Sequence, residues 1–222
     1  VYALNKFIEK GISVRNKSIL INNAISITNS KLDFNLDSTF TLVSLAHFRD
    51  SKDYITLFEA IKIIKDNNLK INLYVLGHTY NYDWPQQMIK NLSIEDNVQI
   101  IGFVSNTKEY LMKSHLLVLS TLREGTPNAI LEGMSHKLPI VSTRVPGCES
   151  LVLNAECGFL AEKKDPNDLA QQITKMMNLS KKERENLGQK GFDYVYQNYR
   201  EEVVYSKWLD IIDKAQNGKQ IQ

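Results

Sequence analysis

"HLLVLSTLREGTPNAILEGMSHKLPIVST", residues 115–143, reads as strand, loop, helix and strand in succession. "HLLVLST" (115–121) is a short continuous apolar run, the pattern of a strand buried on both faces. "LPIVST" (138–143) is a second. Between them a helix starts near Pro127 and runs to about Lys137, with Thr126 as its expected N-cap and Pro127 in the first turn, where a missing N–H costs nothing. A strand, a crossover helix and a strand make a parallel pair. This stretch therefore predicts a βαβ unit, and the question becomes how far the pattern extends.

It extends in both directions. "TFTLVSLAHF" (39–48), "KINLYVLG" (70–77), "NVQIIGFV" (97–104) and "CGFLAE" (157–162) read as further strands. "KDYITLFEAIKIIKDNN" (52–68) is helical, with Ile55, Phe58, Ile61 and Ile64 at helical spacing, and "DWPQQMIKNL" (83–92) and "TKEYLMKS" (107–114) follow as helices. The alternation predicts an α/β fold: a Rossmann-like parallel sheet with helices on both faces. Beyond residue 165 the chain reads as all helix. "DPNDLAQQITKMMNL" (165–179) opens with Asp165 as N-cap, "SKKERENLGQKGFDYVYQNY" (180–199) follows, and "REEVVYSKWLDIIDKA" (200–215) carries Val204, Trp208, Ile211 and Ile212 on one stripe. "QNGKQIQ" reads as a frayed tail. At the other end, "KSILINNAISI" (17–27) reads as one strand and "NSKLDFNLDST" as a turn-rich linker.

Composition narrows the function classes. The chain has 222 residues, 43% of them hydrophobic and 23% charged, as expected of a globular chain with a sizeable core. A net charge of +2 with no basic run argues against a nucleic-acid partner. Cys148 and Cys157 suit free thiols in a reducing compartment, and His47, His78, His115 and His136 show no metal-ligand spacing. No apolar run reaches the roughly 18 residues of a membrane span, and no signal peptide is evident. The chain begins at Val1 rather than Met, as a processed protein or a piece of a longer one would.

Ligands of an open parallel sheet bind beyond the carboxyl ends of its strands. The loop after residues 115–121 holds Arg123, Glu124, Gly125, Thr126, Pro127 and Asn128, followed by a helix whose N-terminus favours an anion. Gly125 permits close backbone approach. Glu124 lies on the loop and Glu132 on the helix, eight positions later. Two carboxylates flanking an anion site suit a hydroxyl-rich ligand joined to a phosphate, that is, a sugar joined to a nucleotide. By spacing alone, a solvent-facing loop and an exposed helical glutamate fit equally well. A dinucleotide-dependent dehydrogenase does not fit, because "LAHFRDSKD" after the first strand contains no glycine.

"EGTPNAILE" followed by "GMSHKLPIVSTRVPGCESLV" resembles the E-x7-E region of retaining GT-B glycosyltransferases, the family 4 group, in their C-terminal donor-binding domain. Glu124, Gly125, Pro127, Glu132, Met134, Pro139, Gly147 and Glu149 match the family pattern. "LAHFRDSKDYITLFEAI" (45–61) is similar to the family's first strand, loop and helix, and the likeness covers residues 38–165 closely. The resemblance implies that Glu132 accepts hydrogen bonds from the ribose, that Glu124 contacts the donor sugar, and that the amides of Gly125, Thr126 and Asn128, around Pro127, hold the diphosphate. It further implies that Gly102, Phe103 and Val104 cover the base and that Lys52 neutralises the leaving diphosphate with no metal or other cofactor. His47 stands where the family has arginine, and Arg49 is the candidate replacement cation on the same loop. Asp53 replaces a glycine as a helix cap, only Gly77 remains of a later Gly-acid-Gly turn, and Ser135, His136 and Lys137 replace Ala-x-Gly.

On this resemblance residues 1–36 are the remnant of an N-terminal acceptor domain and linker, 37–199 the nucleotide-sugar-binding domain, and 200–222 a crossover helix and tail. The implied function is transfer of a sugar, most simply from a UDP-linked donor, to a glycan or lipid-linked acceptor with retention, in surface polysaccharide synthesis. The implied place is the cytoplasm, with peripheral contact at the inner face of the membrane through the missing N-terminal domain. This half alone is expected to bind nucleotide or nucleotide sugar and to transfer sugar poorly or not at all. The alternatives are a nucleotide-sugar epimerase of GT-B fold and a non-catalytic nucleotide-binding module or subunit of a split enzyme.

Overall fold

The computed structural model describes residues 8–11, 19, 21–27 and 39–216. Six parallel strands form one sheet: β1 (Phe40–Leu45), β2 (Ile71–Leu76), β3 (Val98–Gly102), β4 (Leu116–Leu119), β5 (Ile140–Thr143) and β6 (Gly158–Ala161). Their spatial order is β3-β2-β1-β4-β5-β6. The helices are α1 (Tyr54–Asp66), α2 (Trp84–Asn91), α3 (Lys108–Met112), α4 (Asn128–Ser135), α5 (Pro146–Ala155), α6 (Pro166–Asn178), α7 (Lys181–Asn198) and α8 (Glu201–Gln216).

Neighbouring strand residues point to opposite faces, and both faces are covered. Leu42, Leu73, Val75, Leu116 and Val118 pack against Leu57, Phe58 and Ile61 of α1 and Leu169 and Ile173 of α6. Val43, Leu76, Leu117, Leu119 and Ile140 pack on the other face against Ile130 and Met134 of α4, Leu151 and Val152 of α5 and Val195 of α7. This two-sided burial is why the strands read as unbroken apolar runs. The strand order reverses between β1 and β4, which pair Leu42 with Leu116 and Val43 with Leu117. The loops leaving their carboxyl ends diverge there and open a crevice.

Six of the seven expected strands, all those between residues 39 and 162, and the expected helices are present, and α5 is an addition the sequence did not suggest. The exposed face of "PGCESLVLNA" carries Leu153 among Pro146, Ser150 and Asn154, which blurs the polar stripe that betrays a surface helix, and its Pro146-Gly147 start imitates a turn. In α1 the inward face is Tyr54, Leu57, Phe58, Ile61 and Ile64; Ile55 is one position off that face and is exposed. Asp165 caps α6 as expected, accepting from the amides of Asn167 and Asp168 at 3.0 Å each. Of the expected strand at 17–27, residues 19 and 21–27 are described, and they form no strand: Ile25 makes an isolated bridge to Arg200, its amide donating to the Tyr199 carbonyl at 2.8 Å. The expected linker, apart from Thr39, and the tail beyond Gln216 lie outside the described residues. On α8 only Val204 is buried; Tyr205, Trp208, Leu209 and Ile212 are exposed.

At the end of the sheet opposite the crevice, His115 replaces part of the β1–β4 ladder. Its amide donates to the Thr41 carbonyl at 2.8 Å, and its Nδ1 accepts from the Thr41 amide at 3.0 Å. The ring stacks on Phe40 at 4.8 Å. Burial first, and then the Arg184 guanidinium, push its pKa from 6.5 down to about 4. The unfolded chain therefore takes up this proton before the folded one does. Stability is full above the unfolded value and is lost as pH falls from 6.5 towards about 4. The ceiling is about 3 kcal/mol; screening of the partly exposed ring reduces it to about 1–2 kcal/mol. Urea midpoints measured at neutral and mildly acid pH should differ less in His115→Gln than in wild type, and equal pH dependence would refute the assignment.

Candidate functional site

Beyond β1 the chain passes Ala46 and His47 and makes a single 3-10 turn, Asp50–Lys52, after which Asp53 adopts a left-handed conformation (φ 43°) and leads into α1. Asp53 holds the first turn of α1 by accepting from the Thr56 hydroxyl at 2.8 Å. This turn is stitched to the end of β4. The Ser120 hydroxyl donates to the Lys52 carbonyl at 3.0 Å, while the Leu122 amide and the Thr121 hydroxyl each donate to the Ser51 carbonyl at 2.8 Å. Two segments distant in sequence are thereby fixed side by side at the sheet's switch point.

The stitching brings Lys52 against Glu124, and their side chains form an ion pair, with Glu124 13% and Lys52 23% exposed. The Thr121 hydroxyl lies 3.3 Å from Glu124 Oε1. The loop carrying Glu124 rests on Gly147 at the start of α5: a Cβ on Gly147 would stand 2.2 Å from the Gly125 carbonyl oxygen and 2.7 Å from that of Glu124. Arg144, just before α5, is held by Glu149 at 2.7 Å and Glu162 at 2.9 Å.

Helix α4 begins one residue later than expected. Pro127, with φ −72° and ψ 110°, is the N-cap, Asn128 is the first helical residue, and Thr126 lies outside. Proline fits here because its fixed φ suits the extended cap and the cap amide has no helical partner to lose. The amides of Asn128 and Ala129 have no acceptor within the helix by its geometry, so the positive end of α4 faces the crevice. Asn128 is steadied from the preceding segment, its Oδ1 accepting from Asn23 Nδ2 at 2.8 Å. One turn on, Glu132 accepts from the Thr107 hydroxyl at 3.1 Å. Burial raises the Glu132 pKa above the ordinary carboxylate value, and the Thr107 bond offsets part of the rise.

These parts enclose an open cleft of about 590 Å³, which is lined by His47, Lys52, Phe103, Val104, Glu124, Thr126, Pro127, Asn128 and Glu132 among others. Of the candidate residues, Gly102, Gly125 and Arg49 do not line it. Arg49 turns to Tyr80 instead, donating to its hydroxyl from Nε at 3.2 Å and Nη2 at 2.8 Å. His47 Nδ1 accepts from the His78 amide at 3.0 Å. Burial, followed by His78, Arg49 and Lys52, lowers the His47 pKa, so the ring is neutral with its proton on Nε2. The exposed Phe103 ring stacks on His78 at 4.5 Å. Gly77 lets β2 end against β1, since a Cβ there would stand 2.1 Å from the Ala46 carbonyl oxygen. Thr107 and Thr121 are the residues that the sequence did not single out. Thr121 ends an apolar strand run and Thr107 precedes a short helix, positions where a threonine ordinarily reads as a strand residue or a helix cap. Among the described residues, no cluster of three His, Cys, Asp or Glu side chains could hold a metal ion, and no helix is long and apolar enough to cross a membrane.

Comparison with known proteins agrees with this geometry. A family described as "Glycosyl transferases group 1" matches residues 28–194. Among relatives, the chain is 28% identical over 188 residues to N-acetyl-alpha-D-glucosaminyl L-malate synthase of Bacillus anthracis, covering 82% of this chain and 49% of that protein. It is 26% identical over 219 residues to the capsular polysaccharide biosynthesis glycosyltransferase CapM of Staphylococcus aureus, covering 91% and 57%. The chain thus spans about half the length of these relatives. Among solved structures, a TarM mutant of S. aureus in complex with fondaparinux, α-GlcNAc-glycerol and UDP superimposes with a TM-score of 0.82 at 22% identity, over 95% of this chain and 42% of that one. Anabaena HepE in complex with UDP and glucose gives 0.81 at 16% identity, over 94% and 60%. These likenesses establish the shared fold.

Proposed function

Because the chain belongs to the glycosyl transferases group 1 family, we propose that it is the donor-binding half of a retaining glycosyltransferase. In this reading the donor is a nucleotide sugar, UDP-linked, and the acceptor is a glycan or a lipid-linked glycan of a surface polysaccharide. The observation that carries the reading is that Glu124 and Glu132 line one cleft on either side of the α4 N-terminus, with Lys52 beside Glu124. The UDP in the TarM and HepE complexes, and the glucose in the latter, support the choice of donor.

The geometry suggests a division of labour. Glu132, once ionised, accepts from the ribose hydroxyls. The diphosphate lies at the α4 N-terminus, where the amides of Asn128 and Ala129 and the helix dipole favour negative charge. Glu124 faces the sugar. Lys52 meets the charge that develops on the diphosphate as the glycosidic bond breaks, the point at which a fixed cation lowers the barrier most. No resident metal or other cofactor is required for that role. Phe103 and Val104 border the cleft where the base would lie. The acceptor and any contact with a membrane belong to the half of the protein that precedes these residues.

Calorimetric titration with UDP-, GDP- and ADP-glucose tests the reading. UDP-glucose should bind most tightly, and the isolated 222-residue chain should transfer no sugar to any acceptor. Binding of none of the three would overturn the donor site, and turnover by the isolated chain would overturn its assignment as a half-enzyme.

A further inference from the structure

Lys52 and Glu124 satisfy each other in the ligand-free protein, yet the donor-site reading, on which this inference rests, asks Lys52 to turn to a diphosphate. Glu124 is 13% exposed, so a departing Lys52 would leave a largely buried carboxylate unpaired. A replacement partner already stands beside it.

Thr121 is fully buried, and its backbone is clamped. Its amide donates to Thr143 Oγ1 at 2.8 Å, and its carbonyl accepts from the same hydroxyl at 2.6 Å. Its own hydroxyl has one proton and three acceptors within reach, the Ser51 carbonyl at 2.8 Å, Glu124 Oε1 at 3.3 Å and the Arg123 carbonyl at 3.4 Å, of which only Glu124 is charged. The Ser51 carbonyl also accepts the Leu122 amide at 2.8 Å, so it keeps a partner if the Thr121 proton turns away. The Cys148 thiol, which faces Glu124 from α5, is held neutral by burial and offers no countercharge. Nothing but the rotation of one hydroxyl is required.

We propose that Thr121 is a positioning residue that takes over Glu124 when Lys52 leaves it for the donor's diphosphate. The exchange keeps the Glu124 side chain partnered and in place facing the sugar while the ion pair opens. It also keeps the turn carrying Lys52 attached to β4, through Ser120 and the Leu122 amide, as its side chain moves.

The test is isothermal titration of UDP into wild type, Thr121→Val and Thr121→Ser, with Thr121→Val also made in a Glu124→Gln background. Thr121→Val should bind about tenfold more weakly, the cost of a hydrogen bond to a charged group. In the Glu124→Gln background the same change should cost little, because no carboxylate is left to hold. Thr121→Ser should behave as wild type. Should Thr121→Val fail to fold, Thr121→Ala carries the same expectations. A purely structural threonine would lower the melting temperature and impair binding equally in both backgrounds, and that result overturns the proposal. Wild-type affinity in Thr121→Val, or equal impairment of the serine variant, overturns it too. Failure of the wild type itself to bind UDP overturns the donor-site reading and this inference with it.

Discussion

Glu132→Ala should weaken UDP binding about 10- to 100-fold, the loss expected when hydrogen bonds to a charged group are removed, without making the protein less stable at neutral pH. The second half of this expectation follows from the pKa. Burial raises the folded value of Glu132 above that of the unfolded chain. Its contribution to stability is therefore fully present below the unfolded value and is lost as pH rises through the folded one. At neutral pH the ionised side chain opposes folding, and removing it relieves that opposition at the cost of the Thr107 bond. The same linkage makes UDP binding weaken at acid pH, as Glu132 holds its proton, and Glu132→Gln should flatten that part of the profile. Calorimetry across pH together with urea denaturation measures both halves. Unchanged affinity in Glu132→Ala would remove Glu132 from the ribose.

Gly147→Ala should be among the most damaging single-methyl changes near the cleft. The added carbon would stand 2.2 Å from the Gly125 carbonyl oxygen and 2.7 Å from that of Glu124. Both obstacles are backbone, so no side-chain rotation relieves them, and the loop or α5 must shift. Overpacking of this kind costs about 1–3 kcal/mol, or roughly 3–10 °C of melting temperature in a chain of this size. Movement of the loop also carries Glu124 away from Lys52. The variant should therefore lose more affinity for UDP-glucose than for UDP, whereas a general loss of stability would affect the two alike. Differential scanning calorimetry and paired titrations distinguish these outcomes.

How much of this was legible in the sequence depended on whether the determining contacts were local. The strands were, because burial on both faces leaves a continuous apolar run in each. The cap of α6 was, because Asp165 and Pro166 are neighbours of what they cap. Helix α5 was not, since the exposed Leu153 interrupts its polar stripe and its Pro146-Gly147 start imitates a turn. Glu124 and Glu132 stood out through family resemblance, and their common cleft depends on the α4 start that Pro127 sets. The Lys52–Glu124 pair could not be read, because it exists only where β1 and β4 lie side by side. Arg49 shows the reverse: its loop position suggested the cleft, but Tyr80, on a different loop, captures it.

The adjacency of β1 and β4 also dictates a timetable. Thr41 and His115, which join the two strands, are 74 positions apart. β1 and β2 are much closer in sequence and can pair early, whereas the β1–β4 seam must wait for a long loop to close, with its larger entropy cost. On a ribosome, where synthesis runs from the N-terminal end, the β1–β2–β3 half emerges with an unpaired β1 edge and holds it open until β4 is released. Lys52 is made early and meets Glu124 late. The end of the cleft that holds Lys52 and Glu124 is thus among the last parts of this fold to form, and the exposed β1 edge is where a stalled or truncated chain would be captured by another copy.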